Sequence, residues 1–135
     1  MFWSKDMIRI MLVDDSQALL KLIQGIISAE VKFDTEVFTF SNAIVAKEQF
    51  SKISPDFVIT DIEMPNFDGY QLIEYIRSIS ATTILAISGS NHEDNCTNTI
   101  LHCAKLHGAD YSILKKDIVE NFSSLITEMI VTHIQ

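Results

Sequence analysis

The chain has 135 residues, enough for one domain with its own core and no disulfide staples. Hydrophobic residues make up 47% and charged residues 21%, which excludes a disordered tail, a collagen-like repeat and a coiled coil. Asp and Glu number 18 against 10 Lys and Arg, and the net charge of −8 argues against binding nucleic-acid phosphates or an anionic membrane surface. No apolar run approaches the length of a membrane span, and Met1–Asp6 lacks the pattern of a secretory signal. Cys96 and Cys103 are seven residues apart, too far to bond along one helix and without metal-ligand spacing. They read as free thiols of a reducing, cytoplasmic compartment.

Along the chain, short apolar runs alternate with helical periods. Ile8–Val13 is nearly continuously apolar and stops at Asp14-Asp15, a buried strand. Ser16 then caps a helix carrying Leu19, Leu22, Ile23, Ile26 and Ile27. Thr35–Phe40 is a second strand nearer an edge, and Ser41 or Asn42 caps a helix with Ile44, Val45, Phe50 and Ile53. Phe57–Thr60 is a third strand, ended by Asp61. A loop with Pro65 and Gly69 leads to a helix bearing Leu72, Ile73 and Ile76. Thr83–Ile87 is a fourth strand, ended by Ser88-Gly89. The polar stretch Ser90–Asn98 precedes a helix with Ile100, Leu101, Ala104 and Leu106, which Gly108 is placed to end. Tyr111–Leu114 is a short fifth strand, ended by Lys115. The last helix carries Ile118, Phe122, Leu125, Ile126, Met129 and His133. His133 falls on its apolar period and reads as partly buried.

Five strands alternating with five helices define an α/β domain. Nearly continuous apolar strands predict a parallel sheet with helices on both faces, doubly wound in the order 2-1-3-4-5. In such a sheet, ligands bind beyond the carboxyl ends of the strands. Those ends carry Asp14 and Asp15, Asp61, Ser88 and Lys115. Singly, each has a bland reading as a helix start, a turn or a surface residue. Jointly, three carboxylates, a hydroxyl and an ammonium converge on one rim. The carboxylates repel, and a hard divalent cation such as Mg²⁺ resolves the conflict while keeping sites for phosphate oxygens. The set predicts a phosphoryl-transfer site in which one carboxylate can be the nucleophile.

At these residues the sequence resembles the receiver domain of bacterial two-component response regulators, from about Met7 to Gln135. Asp61-Ile62-Glu63-Met64-Pro65-Asn66-Phe67-Asp68-Gly69 fits the pattern D-x-x-M-P-x-x-D-G. Leu12-Val13-Asp14-Asp15-Ser16, Ile87-Ser88-Gly89 and Gly108-Ala109-Asp110 with Lys115 fit the other motifs. The resemblance implies a single receiver domain over residues 1–135, with the flavodoxin-like fold and Asp61 as phosphoacceptor. It implies Mg²⁺ (or Mn²⁺) held by Asp14, Asp15, Asp61 and the backbone carbonyl of Glu63. Ser88 with Gly89, and Lys115, would bind the phosphoryl group. The donor would be a sensor histidine kinase or histidine phosphotransfer protein. A downstream protein would bind the face of the fourth helix, fifth strand and fifth helix, on a monomer or weak homodimer. With no room after the last helix for an output domain, the expected role is a stand-alone, non-enzymatic phosphoprotein signalling by contact.

Several positions depart from the family. Lys116 stands where proline usually follows the lysine through a cis bond, so a trans or rearranged loop is expected. The switch aromatic is replaced by Ser112, and strand alternation turns its neighbour Tyr111 to the opposite face. The segment from Ser88 to Gly108 is about one helical turn longer than usual, with His92 reading as a solvated loop residue and His102 and His107 as helical. Glu63 should face the site mouth and affect water access to the acyl phosphate. Two other classes compete: a pseudo-receiver that signals without phosphate, and an aspartate-nucleophile phosphatase. The second lacks a cap segment and has Glu63 where a second Asp is wanted.

Overall fold

The structure is a computed structural model, and it describes residues 7–64, 68–89, 104–105 and 107–134. Pro65, the stretch Ser90–Asn98 with His92 and Cys96, and Ile100, Leu101, His102, Cys103 and Leu106 lie outside the described residues.

The elements are β1 (Ile8–Val13), α1 (Gln17–Glu30), β2 (Thr35–Phe40), α2 (Ala43–Ile53) and β3 (Phe57–Asp61). Then come α3 (Gly69–Ile79), β4 (Thr83–Ser88), β5 (Tyr111–Leu114), a 3₁₀ turn (Lys115–Asp117) and α4 (Ile118–His133). The five strands form one parallel sheet in the order β2-β1-β3-β4-β5.

The strands are continuously apolar because both faces of the sheet are covered. Successive side chains alternate between the two faces. Ile10, Leu12, Phe57, Ile59, Leu85, Ile87 and Ile113 pack against Leu20, Ile23 and Ile27 of α1 and Phe122, Ile126 and Met129 of α4. Met11, Val13, Val58, Ile84 and Ala86 turn the other way, against Ala46 and Phe50 of α2 and Leu72, Ile73 and Ile76 of α3. β2 pairs with β1 alone and is only partly buried, as an edge strand should be.

Local capping follows the sequence closely. The Ser16 hydroxyl accepts the Leu19 N–H at 3.2 Å, starting α1. Asn42, rather than Ser41, caps α2, its Oδ1 accepting the N–H groups of Ile44 and Val45. Asp68 and Gln71 form a reciprocal capping box on α3. Gly108 adopts φ +122°, where a side chain would be strained, and turns the chain into β5.

Five residues sit differently from expectation. Leu22 is exposed and Leu20 is buried instead, because the stripe of α1 that meets the sheet runs 20, 23, 27. Ile44 and Val45 are exposed, and the small Ala43 and Ala46 take the buried side of α2 with Phe50. His133 is exposed rather than partly buried; Tyr111 reaches it from β5. Likewise His107 lies in the turn before Gly108, not on a helix.

Candidate functional site

All four chemistry-bearing strand ends meet at one edge of the sheet. Asp14 follows β1, Asp61 closes β3, Ser88 closes β4 and Lys115 follows β5. Parallel ladders hold these ends in register: Asp61 lies opposite Ile87, and Ser88 opposite Leu114. Pairing continues past the strands, with Asp14 N–H donating to Phe40 O at 3.0 Å and Ile62 N–H to Ile87 O at 3.1 Å. The acidic backbone is therefore anchored by the sheet rather than left to a loop.

The carboxylates crowd together. Asp14, Asp15 and Asp61 each offer an oxygen within 4.8 Å of the other two. Asp14 and Asp61 are buried, whereas Asp15 is exposed. One Asp14 oxygen, Oδ1, accepts the Ser16 N–H at 2.7 Å, and Asp61 Oδ1 accepts the Glu63 N–H at 3.2 Å. The Lys115 ammonium stands 3.4 Å from Asp61 Oδ2 and 3.5 Å from Asp14 Oδ2. Asp14 Oδ2 is fully buried and has no hydrogen bond among the described residues.

Burial dominates the electrostatics. Desolvation, reinforced by the Asp14 charge, pushes Asp61 up to about 6, against the opposing Glu63 N–H and Lys115. Desolvation also raises Asp14, with Asp15 adding to it and the Ser16 N–H and Lys115 opposing. For Lys115, burial favours the neutral amine, but the charges of Asp61 and Asp14 outweigh it and raise its pKa. One ammonium thus leaves the cluster short of positive charge. A buried carboxylate oxygen with no hydrogen bond among the described residues, 3.5 Å from the ammonium and beside two other carboxylates, belongs to the donor set a hard divalent cation takes.

Two glycines make the close approaches possible. A Cβ on Gly89 would collide with the Lys115 stem, so a bare backbone there lets the ammonium reach the aspartates. A Cβ on Gly69 would collide with the backbone of Asp61 and Ile62, so the first turn of α3 lies directly beside the end of β3. Ser88 is buried and donates to Glu63 Oε1 at 3.3 Å, placing the Glu63 side chain across the mouth of the site.

At the position of the missing switch aromatic, Ser112 is half-buried opposite Ala86. Tyr111 and Ile113 flank it and pack on the α1–α4 side, so Tyr111 does face away from Ser112. Every described peptide bond is trans, including the one joining Lys115 to Lys116, and Lys115 opens a 3₁₀ turn.

A structural constellation at the amino ends of β4 and β5, opposite the site, escapes the sequence motifs. The Arg77 guanidinium, on α3, donates to Gly108 O at 3.1 and 2.8 Å, to Ser80 O and Thr82 O, and to Asp110 Oδ2 at 2.9 Å. Asp110 Oδ2 also accepts the Ile84 N–H at 2.8 Å. This corner fixes where β5 enters the sheet, and hence where Lys115 stands. The only signal for it is the Gly108-Ala109-Asp110 motif; its partner is 33 residues away in sequence.

This parallel sheet in the order β2-β1-β3-β4-β5, with an acidic site at its carboxyl edge, defines a flavodoxin-like α/β protein. The response regulator receiver domain profile matches residues 10–126, and the chain belongs to that family of signalling domains. Sensory transduction protein BceR of Halalkalibacterium halodurans is 35% identical over 86 residues, 64% of this chain and 36% of that protein. A protein-glutamate methylesterase/protein-glutamine glutaminase of Xanthomonas oryzae pv. oryzae is 24% identical over 124 residues, 91% of this chain and 34% of that protein. The chain thus spans about a third of the length of these relatives. The response regulator domain of Thermotoga maritima CheB shares the fold, with a TM-score of 0.75 at 23% identity, over 95% of this chain and 96% of the other. No described helix is long and apolar enough to cross a membrane.

Proposed function

We propose that this receiver domain accepts a phosphoryl group on Asp61 from a phosphohistidine on a sensor kinase or phosphotransfer protein. The supporting observation is the buried Asp61 carboxylate, crowded by Asp14 and Asp15 and touched by the Lys115 ammonium. Asp61 attacks the phosphorus; a P–O bond forms, the P–N bond breaks, and its electron pair stays on the departing imidazole. Lys115 neutralises charge on a phosphoryl oxygen, and Ser88, beside the bare backbone of Gly89, donates a hydrogen bond to another. Mg²⁺ (or Mn²⁺), when bound, neutralises the carboxylates and the phosphoryl oxygens; the side chains of Asp14, Asp15 and Asp61 and the Glu63 carbonyl would hold it.

Phosphorylation then shifts a conformational equilibrium that a protein partner reads on the face of β5 and α4, with the residues preceding Gly108. The domain works in the cytoplasm as a monomer or weak homodimer, and its acidic surface keeps it off nucleic acid and membrane. Incubation with Mg²⁺ and acetyl phosphate should add the mass of one phosphoryl group to the intact protein, and Asp61→Asn should lose it. No adduct on the wild type would favour the pseudo-receiver, to which Ser112 and Lys116 lend support; an undiminished adduct on Asp61→Asn would place the acceptor elsewhere.

A further inference from the structure

The Ser88–Glu63 hydrogen bond uses the same proton that a phosphoryl group would need. A serine hydroxyl carries one proton and donates once. In the resting domain that proton goes to Glu63 Oε1 at 3.3 Å. The Glu63 backbone is tied to the acceptor itself, its N–H donating to Asp61 Oδ1 at 3.2 Å. The side chain therefore leaves from the loop just after β3 and crosses to the end of β4. It ends as a carboxylate beside the hydroxyl where phosphoryl oxygens would lie.

We infer that Glu63 is a built-in competitor of the phosphoryl group, an anionic latch on Ser88 that must swing out before Ser88 can bind the phosphorylated site. The inference rests on the receiver reading of Asp61 and deepens it by assigning regulation of the same site. Occupation of Ser88 by Glu63 and by phosphoryl is mutually exclusive. Two anions sharing one donor also repel. Glu63 is itself exposed, so an outward rotamer is available to it without disturbing the core.

The test measures beryllofluoride affinity at saturating Mg²⁺, with Mg²⁺ affinity determined separately for each variant. The four proteins are wild type, Glu63→Ala, Ser88→Ala and the double variant. Removing the latch should tighten beryllofluoride binding roughly three- to tenfold, the worth of one modest hydrogen bond. That gain should vanish in the Ser88→Ala background, because no hydroxyl remains to be contested. Glu63→Gln keeps an acceptor and should recover only part of the gain. An equal gain with and without Ser88 would reduce Glu63 to a repelling charge and overturn the latch, as would an unchanged or weakened Glu63→Ala. A wild type that binds no beryllofluoride and takes no phosphoryl on Asp61 would instead sink the receiver reading, and the latch with it.

Discussion

Two charged corners of this domain sit on opposite ends of the same strands and are built on opposite terms. At the α3–β5 corner, Arg77 meets three backbone carbonyls and Asp110 at 2.8–3.1 Å, and Asp110 in turn holds the Ile84 N–H. At the acidic rim, three carboxylates crowd together, two of them share one ammonium at 3.4–3.5 Å, and the buried Asp14 Oδ2 has no hydrogen bond among the described residues. The first corner is partly exposed and pairs its charges with several hydrogen bonds, and so stabilises the fold. The second buries like charge without satisfying it, a cost that a ligand can remove. Stability and function have been separated in space along the sheet.

Breaking the satisfied corner should have the largest effect on folding. Arg77→Ala leaves several carbonyls and Asp110 short of a donor and should cost about 2–4 kcal/mol in urea unfolding. Arg77→Lys should recover little of it, since one ammonium cannot replace a fork of donors. An Arg77→Ala protein as stable as the wild type would show that the corner is decorative.

Breaking the unsatisfied rim should do the reverse. Asp61→Asn removes one of the crowded charges and should stabilise the metal-free domain by about 1–3 kcal/mol near neutral pH. The pH dependence carries the same sign. Asp61 rises from 3.8 in the unfolded chain to about 6 when folded, so the folded state holds its proton longer. Its contribution is present below about pH 4 and is lost as pH rises through about 6. The stability of wild type minus that of Asp61→Asn, free of metal, should therefore fall across this window and level off above it. Adding Mg²⁺ should reverse the difference at neutral pH, because binding a cation stabilises the folded form. A flat difference would mean that the rim stores no such cost.

A smaller effect sharpens the same contrast. Tyr111 donates to or accepts from His133 at 2.9 Å, ring edge to face, at an exposed junction of β5 and α4. Tyr111→Phe should cost no more than about 0.5–1 kcal/mol, the worth of one solvent-accessible hydrogen bond. A loss as large as that of Arg77→Ala would make this junction a third structural corner.

Much of the site is legible in one dimension because sheet geometry is regular. Apolar strands that stop at Asp14, Asp61, Ser88 and Lys115 must bring those residues to one edge once the strands lie parallel. Caps such as Ser16 and Asn42 are legible for a similar reason, since their partners are two or three residues away. Periodicity misleads where a helix has more apolar residues than buried positions. Leu20 and Leu22 are equally apolar, and only the orientation of α1 on the sheet chooses between them. His133 shows the same limit: it follows the apolar period of α4 yet lies beyond the edge of the core.

The order of strands, the family and the residues at the rim follow from the sequence alone, because alternation, turn residues and motif spacing are local. Tertiary structure decides which of those residues compete. That Asp14 and Asp61 share the Lys115 ammonium, that Gly89 clears a path for Lys115, that Arg77 binds Asp110 and that Glu63 takes the Ser88 proton all depend on groups separated by many residues. Such contacts are set by distances of a few ångströms between folded elements, and a linear pattern does not encode those distances directly.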